Sequence, residues 1–172
     1  MDTANNSSAE NSLEAQRRVI KDRGEISGFL AELVEHATRE IVIFAPRLDN
    51  VLFNTTRFSR ALASFAARHR QNQARIVVED TNQALRDNDR LVGLCRRLSD
   101  FIHMHRVAEE HLGMRIMFVV VDRSGYLLQT DTTRPDCTAA SRDPRMAVQL
   151  ARRFNGMWDR SEPIASLRAA GL

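Results

Sequence analysis

The sequence predicts an α/β domain, a mixed β-sheet with helices on both faces. Three observations lead there. Segments with apolar residues at three- and four-residue steps alternate with short apolar runs, in the order helix, strand, helix, strand, helix, strand. The stretch Met114 to Thr132, MRIMFVVVDRSGYLLQTDT, places two apolar runs on either side of the turn Asp122-Arg123-Ser124-Gly125, which reads as a β-hairpin. Arg115 is the only charge among the eight residues Met114 to Val121, so that first strand is expected to be covered on both faces and central in the sheet.

Residues 1–16 are polar and rich in Asn and Ser, the composition of a disordered tail. The domain is expected over residues 17–163, followed by a short tail or final turn over residues 164–172. From about Gly24, the residues Ile26, Phe29, Leu30, Leu33, Val34 and Ala37 form one apolar helical stripe. Glu40 to Ala45, EIVIFA, is a buried strand stopped by Pro46, which has no donor for a ladder. A second helix follows from about Thr55 to Arg70, with Asn54 or Thr55 as its cap and Phe58, Ala61, Leu62, Phe65 and Ala66 inward.

Ala74 to Glu79, ARIVVE, is the next strand, followed by a polar connection and a helix from about Asn88 to Ser99. Phe101 to Val107, FIHMHRV, alternates, which places Phe101, His103, His105 and Val107 on one face of a strand. After the hairpin, Asp131 to Arg142 reads as a polar loop. A last helix is well signalled, with Asp143 as cap, Pro144 at the first position where its missing N–H costs nothing, and Ala147, Leu150, Ala151, Phe154, Met157 and Trp158 inward.

A length of 172 residues fits one domain, and 43% hydrophobic content suffices for a core. No segment approaches the roughly 18 apolar residues of a membrane span, and the first residues lack the basic and apolar regions of a secretory signal. A cytoplasmic protein without a membrane partner is expected. Cys95 and Cys137 match no metal or redox spacing and are expected to be unpaired, with Cys95 buried. The formal charge is +3, and because the first sixteen residues hold three acids and no base, the rest of the chain carries +6. Lys21 is the sole lysine among 25 basic residues, a bias that codon usage explains as readily as phosphate binding does.

From about Glu25 to Pro163 the chain resembles one half of a phospholipase D-like domain. The resemblance lies in the order of elements, in REIVIFAP opening the sheet, in the hairpin MFVVVDRSGYLLQTD and in the closing helix RRFNGMWDRSEP. Within that superfamily it looks like a bacterial branch without assigned function. Active members carry H-x-K-x-x-x-x-D at this hairpin, then G-S-x-N six residues later; the histidine attacks phosphorus, the lysine holds phosphate oxygens and the aspartate supports them. With the aspartate laid on Asp122, the histidine position falls on Arg115, the lysine position on Met117, and the G-S-x-N stretch on Gln129, Thr130, Asp131 and Thr132. Only the aspartate matches. Arginine stays protonated at neutral pH and is no nucleophile, so the resemblance implies a fold retained with its histidine chemistry lost.

His103 and His105 are expected to point the same way and, with His111, Glu109 or Glu110, to have the donor types of a metal site; partly buried polar positions at the sheet's end explain them more simply. Asp122 has a place in ordinary turn chemistry. A buried Arg115 would need Asp122, Asp131 or a bound anion as partner.

The expected function is therefore a catalytically inactive binding or regulatory module for an anionic, phosphate-containing ligand, with Arg115, Asp122, His103 and His105 as binding candidates and no cofactor. One alternative is a phosphodiesterase or nuclease with an altered site built from His103, His105 or His111, with Arg115 and Asp122 as further catalytic candidates. Another is nucleic-acid binding through the basic surface, which no recognised motif supports. In the resembling family two halves join to form one site, so a homodimer across the hairpin face is expected.

Overall fold

The computed structural model describes residues 17–168, so the tail expected over residues 1–16 lies outside the described residues. Strand β1 (Arg18–Ile20) leads into helix α1 (Arg23–Glu35), whose Asp22 cap accepts the Glu25 N–H at 2.9 Å. Strand β2 (Glu40–Phe44) is followed by the short helix α2 (Asn50–Phe53) and by α3 (Thr56–Arg68), capped by the Thr55 hydroxyl. Next come β3 (Gln73–Val78), α4 (Thr81–Asp87), α5 (Asp89–Arg97) and β4 (Ile102–Arg106). The hairpin pairs β5 (Met117–Val121) with β6 (Gly125–Gln129), and the chain continues through β7 (Cys137–Ala140), α6 (Pro144–Arg160) and β8 (Glu162–Pro163).

Among the described residues these strands form one sheet in the order β1-β7-β6-β5-β2-β3-β4-β8. The three strands β2, β3 and β4 run parallel, while β5 is antiparallel to β2 and the pairs beyond it are antiparallel. The hairpin strand β5 is thus interior, flanked by β6 and β2, and every one of its residues is buried. Its side chains alternate between two cores: Met117, Val119 and Val121 face one, Phe118 and Val120 the other.

Helices α1, α3 and α5 cover the first face with Leu30, Phe58, Leu62 and Leu91. The second face is covered by α6, whose Ala147, Leu150, Ala151, Phe154 and Met157 lie on Phe44, Phe118 and Tyr126. Each fully buried Leu or Phe contributes about 1.5–3 kcal/mol against leaving it in water. That difference holds α6 on the sheet, and a one-residue slip of β5 would exchange its side chains between the two cores, so its register is set by how those side chains fit.

Several boundaries differ from the sequence reading. The first hairpin strand starts at Met117, not Met114, so Arg115 is an exposed residue at the strand's mouth and not a buried guanidinium. Its carbonyl accepts the Thr132 N–H at 2.7 Å, past the end of the helical cover. The polar connection before Asn88 contains helix α4, started by Asp80 accepting the Gln83 N–H. The loop expected over Asp131 to Arg142 contains β7, which pairs with both β6 and β1.

In the turn, Asp122 and Arg123 take φ values of 54° and 53°, the left-handed pair that a type I′ turn requires, closed by the Ser124 N–H on the Val121 carbonyl. Gly125 is needed for space instead. A Cβ there would stand 2.6 Å from Leu33 Cδ1 and 2.8 Å from the Ser141 carbonyl oxygen. At the other end of the chain, Ile164 and Leu167 pack into the first core, and residues 165–167 form a single 3₁₀ turn.

Candidate functional site

A cleft of about 830 Å³ opens where the parallel strands β2 and β3 end. Since β5 runs opposite to β2, its beginning lies at the same end, and so does the exit of β6. The carboxyl ends of parallel strands are where an open α/β sheet leaves room for a ligand, because the connections to the helices part there. Arg47 and Asp49 reach the cleft from β2, Glu79 and Asp80 from β3, Arg115 and Met117 from β5, and Gln129, Thr132 and Arg134 from β6 and the loop beyond.

The charges in the cleft balance formally, with Arg23, Arg47, Arg115 and Arg134 against Asp49, Glu79, Asp80 and Asp87. They are not equally engaged. Arg23 pairs with Asp49, Asp87 pairs with Arg86, Asp80 caps α4, and Glu79 accepts the Gly113 N–H at 3.0 Å. The guanidinium groups of Arg47, Arg115 and Arg134 take part in no hydrogen bond or ion pair among the described residues. Beside two of them, Asp131 is held below the usual carboxylate range, chiefly by the Thr133 hydroxyl and N–H, with smaller contributions from Arg115 and Arg134. Asp131 is thus committed to its own turn and forms no ion pair with Arg115.

Among the described residues no histidine lines this cleft. Its thiol, Cys137, is pushed up to about 11 by burial, with Asp136 adding to the effect, so it stays protonated at neutral pH. Among the described residues the cleft offers guanidinium forks, hydroxyls and carboxylates.

The other residues singled out from the sequence lie elsewhere. Asp122 sits at the opposite end of β5, where its carboxylate accepts from the Thr38 N–H and hydroxyl, the Arg39 N–H and the Glu40 N–H, all at 2.8–3.0 Å. It ties the hairpin turn to the start of β2. His103 and His105 occupy β4, separated from β5 by β2 and β3. The His103 Nε2–H donates to Gln73 Oε1 at 2.8 Å.

The His105 ring stacks on Trp158 with centroids 3.6 Å apart, and its Nδ1 lies 2.8 Å from Ser161 Oγ. The Ser161 hydroxyl already donates to the Trp158 carbonyl at 2.6 Å, so His105 must be the donor, which places a proton on Nδ1. Burial, aided by His103 and Arg168, pushes that imidazole down to about 4. His111 ends a 3₁₀ turn, with its buried Nδ1 unpartnered. Among the described residues no three His, Cys, Asp or Glu side chains are grouped to hold a metal ion, and no helix is long and apolar enough to cross a membrane.

Of the residues chosen from the sequence, the cleft therefore gathers Arg115, together with Met117, Gln129 and Thr132 from the motif positions. Sequence reasoning passed over Arg47 and Arg134, single arginines in loops with no periodicity to mark them. One signal was present for Arg47, which follows the strand-ending Pro46 at the carboxyl end of a parallel strand.

The architecture is a phospholipase D-like fold. Several solved structures share the architecture, among them three of similar TM-score. TrmBL2, an archaeal chromatin protein described with a novel mode of DNA binding, superposes with a TM-score of 0.64 at 13% identity over 94% of this chain. This chain spans 64% of that protein, just under two thirds. Nuc, a phospholipase D family member from Salmonella typhimurium, gives 0.63 at 12% identity over 86% of this chain and 98% of its own. NucT from Helicobacter pylori gives 0.63 at 10%, with the same coverage of 86% and 98%. No functionally curated protein matches the sequence. By sequence the chain belongs to the family described as a domain of unknown function, DUF7931, whose model matches residues 22–170.

Proposed function

We propose that this chain is a non-catalytic phospholipase D-like module whose cleft binds an anionic, phosphate-containing ligand. The observation that carries the reading is the coincidence of two independent placements. The residues laid on the catalytic histidine and lysine positions, Arg115 and Met117, both line the cleft, as do Gln129 and Thr132 from the second motif. On the hairpin alignment a guanidinium takes the nucleophile's position. It presents a planar fork of donors suited to phosphate oxygens, and with Arg47 and Arg134 it leaves three cations uncommitted.

The same substitutions support loss of turnover. A protonated guanidinium has no lone pair to attack phosphorus, and a thioether cannot replace an ammonium in holding phosphate oxygens. A redirected histidine site has poor support, because His103 and His105 are engaged with Gln73 and Ser161 away from the cleft. The direct test is incubation with bis(4-nitrophenyl) phosphate. Release of nitrophenolate no faster than in buffer is expected, and turnover lost in His105→Ala or His111→Ala would overturn the non-catalytic assignment.

A homodimer completing the site across the hairpin face belongs to the same reading, since 86% of this chain superposes on 98% of Nuc and of NucT, each a single unit of this fold. Light scattering after size-exclusion chromatography is expected to give twice 19.6 kDa. A monomer at high micromolar concentration would remove the dimer. Nucleic-acid binding has one specific observation in its favour, the shared fold of the DNA-binding TrmBL2. It predicts affinity for duplex DNA that falls steeply with salt.

A further inference from the structure

The outer surface of α6 differs in charge from the helices on the other side of the sheet. Arg142, just ahead of the helix, and Arg145, Arg152 and Arg153 within it are all exposed. Their guanidinium groups take part in no hydrogen bond or ion pair among the described residues. Asp143, which lies between the first two in sequence, is taken by Arg17 at 2.8 Å and by the Met146 N–H at 3.2 Å. On the opposite face, α1 exposes Glu25, Glu32 and Glu35, and Glu35 accepts two hydrogen bonds from Arg57 at 2.7 and 3.0 Å.

Two features set these arginines apart from an ordinary solvated face. Arg145 stands in the first turn of α6, which holds no acidic residue. The positive end of the helix dipole lies there, so a guanidinium is disfavoured within the chain and becomes favourable once an anion covers it. Turning by about 100° per residue, the helix gathers Arg145, Arg152 and Arg153 into one sector of about 100°, opposite the buried Ala147 and Phe154. No acid intervenes between Arg145 and Arg153, so their mutual repulsion is unrelieved.

We propose that the outer face of α6 binds the phosphate backbone of double-stranded nucleic acid without reading its sequence. This rests on the nucleic-acid reading above and supplies its surface; no residue of α6 is among those lining the cleft. Each guanidinium presents a planar fork that fits two phosphate oxygens at once. Arg145 and Arg152 lie two turns apart, about 10.5 Å along the axis, which equals the rise of about three phosphate steps on one strand of a duplex. A lipid surface fits less well. A helix lying on a membrane sinks apolar side chains beside its basic ones, whereas α6 turns its apolar residues to the sheet and has Gln149 between its arginines. Single strands call for exposed rings on which bases stack, and the Trp158 indole is already stacked on His105.

The test is fluorescence anisotropy of the full chain with a short fluorescein-labelled DNA duplex of mixed sequence, repeated across a series of salt concentrations. Four neutralised phosphates give an expected slope of about −3.6 for log K against log salt, and each arginine removed reduces it by about 0.9. Arg145→Ala/Arg152→Ala/Arg153→Ala is expected to weaken binding at low salt by about thirtyfold or more. Arg60→Ala/Arg96→Ala/Arg97→Ala removes the same charge from exposed positions on the opposite face and is expected to cost less than about threefold. Circular dichroism checks that both variants are folded.

Equal losses in the two triple variants, or a loss in Arg115→Ala as large as that of the α6 variant, would overturn the α6 surface while leaving nucleic-acid binding standing. Tighter binding of the single strand than of the duplex, or binding to phosphatidylglycerol vesicles in place of the duplex, would overturn it as well. Absence of duplex binding at low salt would remove both the surface and the nucleic-acid reading.

Discussion

Asp122 and Thr38 are joined by two hydrogen bonds, the Thr38 N–H and hydroxyl both donating to Asp122 Oδ2 at 2.8 and 3.0 Å. The other carboxylate oxygen accepts the N–H groups of Arg39 and Glu40. Two segments more than eighty residues apart in sequence are fastened at one end of the sheet. The cleft opens at the other end of the same strand. The aspartate at the surviving motif position therefore organises the fold without touching the site.

Asp122→Ala leaves three backbone N–H groups at the start of β2 without their acceptor. Hydrogen bonds to a charged group are each worth about 1.5–3 kcal/mol when sheltered, and water replaces part of that here, so a net loss of about 2 kcal/mol is expected. Urea denaturation measures it. Affinity for inorganic phosphate, measured on the folded variant, is expected to be unchanged.

Gly125→Ala places a methyl group 2.6 Å from Leu33 Cδ1 and 2.8 Å from the Ser141 carbonyl oxygen. The leucine can turn aside but the carbonyl belongs to the backbone, so overpacking of about 1–3 kcal/mol is expected. Adding Leu33→Ala is expected to remove the side-chain clash and to leave the carbonyl clash. The expected result is therefore no recovery of stability in the double variant beyond that of Leu33→Ala with Gly125 intact.

Acid sensitivity is expected to pass through His105. Its folded value is pushed down to about 4 from an ordinary 6.5, so the unfolded chain takes up the proton first. The stabilisation from keeping this ring neutral is complete above pH 6.5, declines as the pH falls from 6.5 to about 4, and then levels. His105→Phe keeps a ring to stack on Trp158 and removes the titration. The difference in urea midpoint between pH 7 and pH 5 is expected to be smaller in the variant than in the unaltered protein.

Much of the fold was legible because its periodicities were strong. The stripe of Ile26, Phe29, Leu30, Leu33 and Val34, the EIVIF strand and the Asp143-Pro144 helix start all lie where side-chain spacing placed them. β7 escaped because Cys-Thr-Ala-Ala has little intrinsic preference for a strand and becomes one by pairing with β6 and β1. The site was legible in half. The register of the hairpin led to Arg115 and Met117, whereas Arg47 and Arg134 come together through tertiary structure alone. His103 and His105 do share a face, but it is the α6 face of β4, and local alternation carries no information about distance from the hairpin.

Arg134→Ala and Arg47→Ala are each expected to weaken binding of inorganic phosphate about three- to tenfold, in line with a charge-assisted hydrogen bond at a wet site. Both side chains are exposed. Stability is expected to change by less than about 0.5 kcal/mol, so thermal denaturation separates a binding role from a folding one.

The most direct measurement is calorimetric titration of pyrophosphate into the unaltered protein and into Arg115→Ala at the same low ionic strength. The account predicts saturable binding to the unaltered protein and an affinity at least fivefold weaker in the variant, with both chains equally folded by circular dichroism. Absence of binding to the unaltered protein, or an affinity that Arg115→Ala leaves untouched, would contradict it.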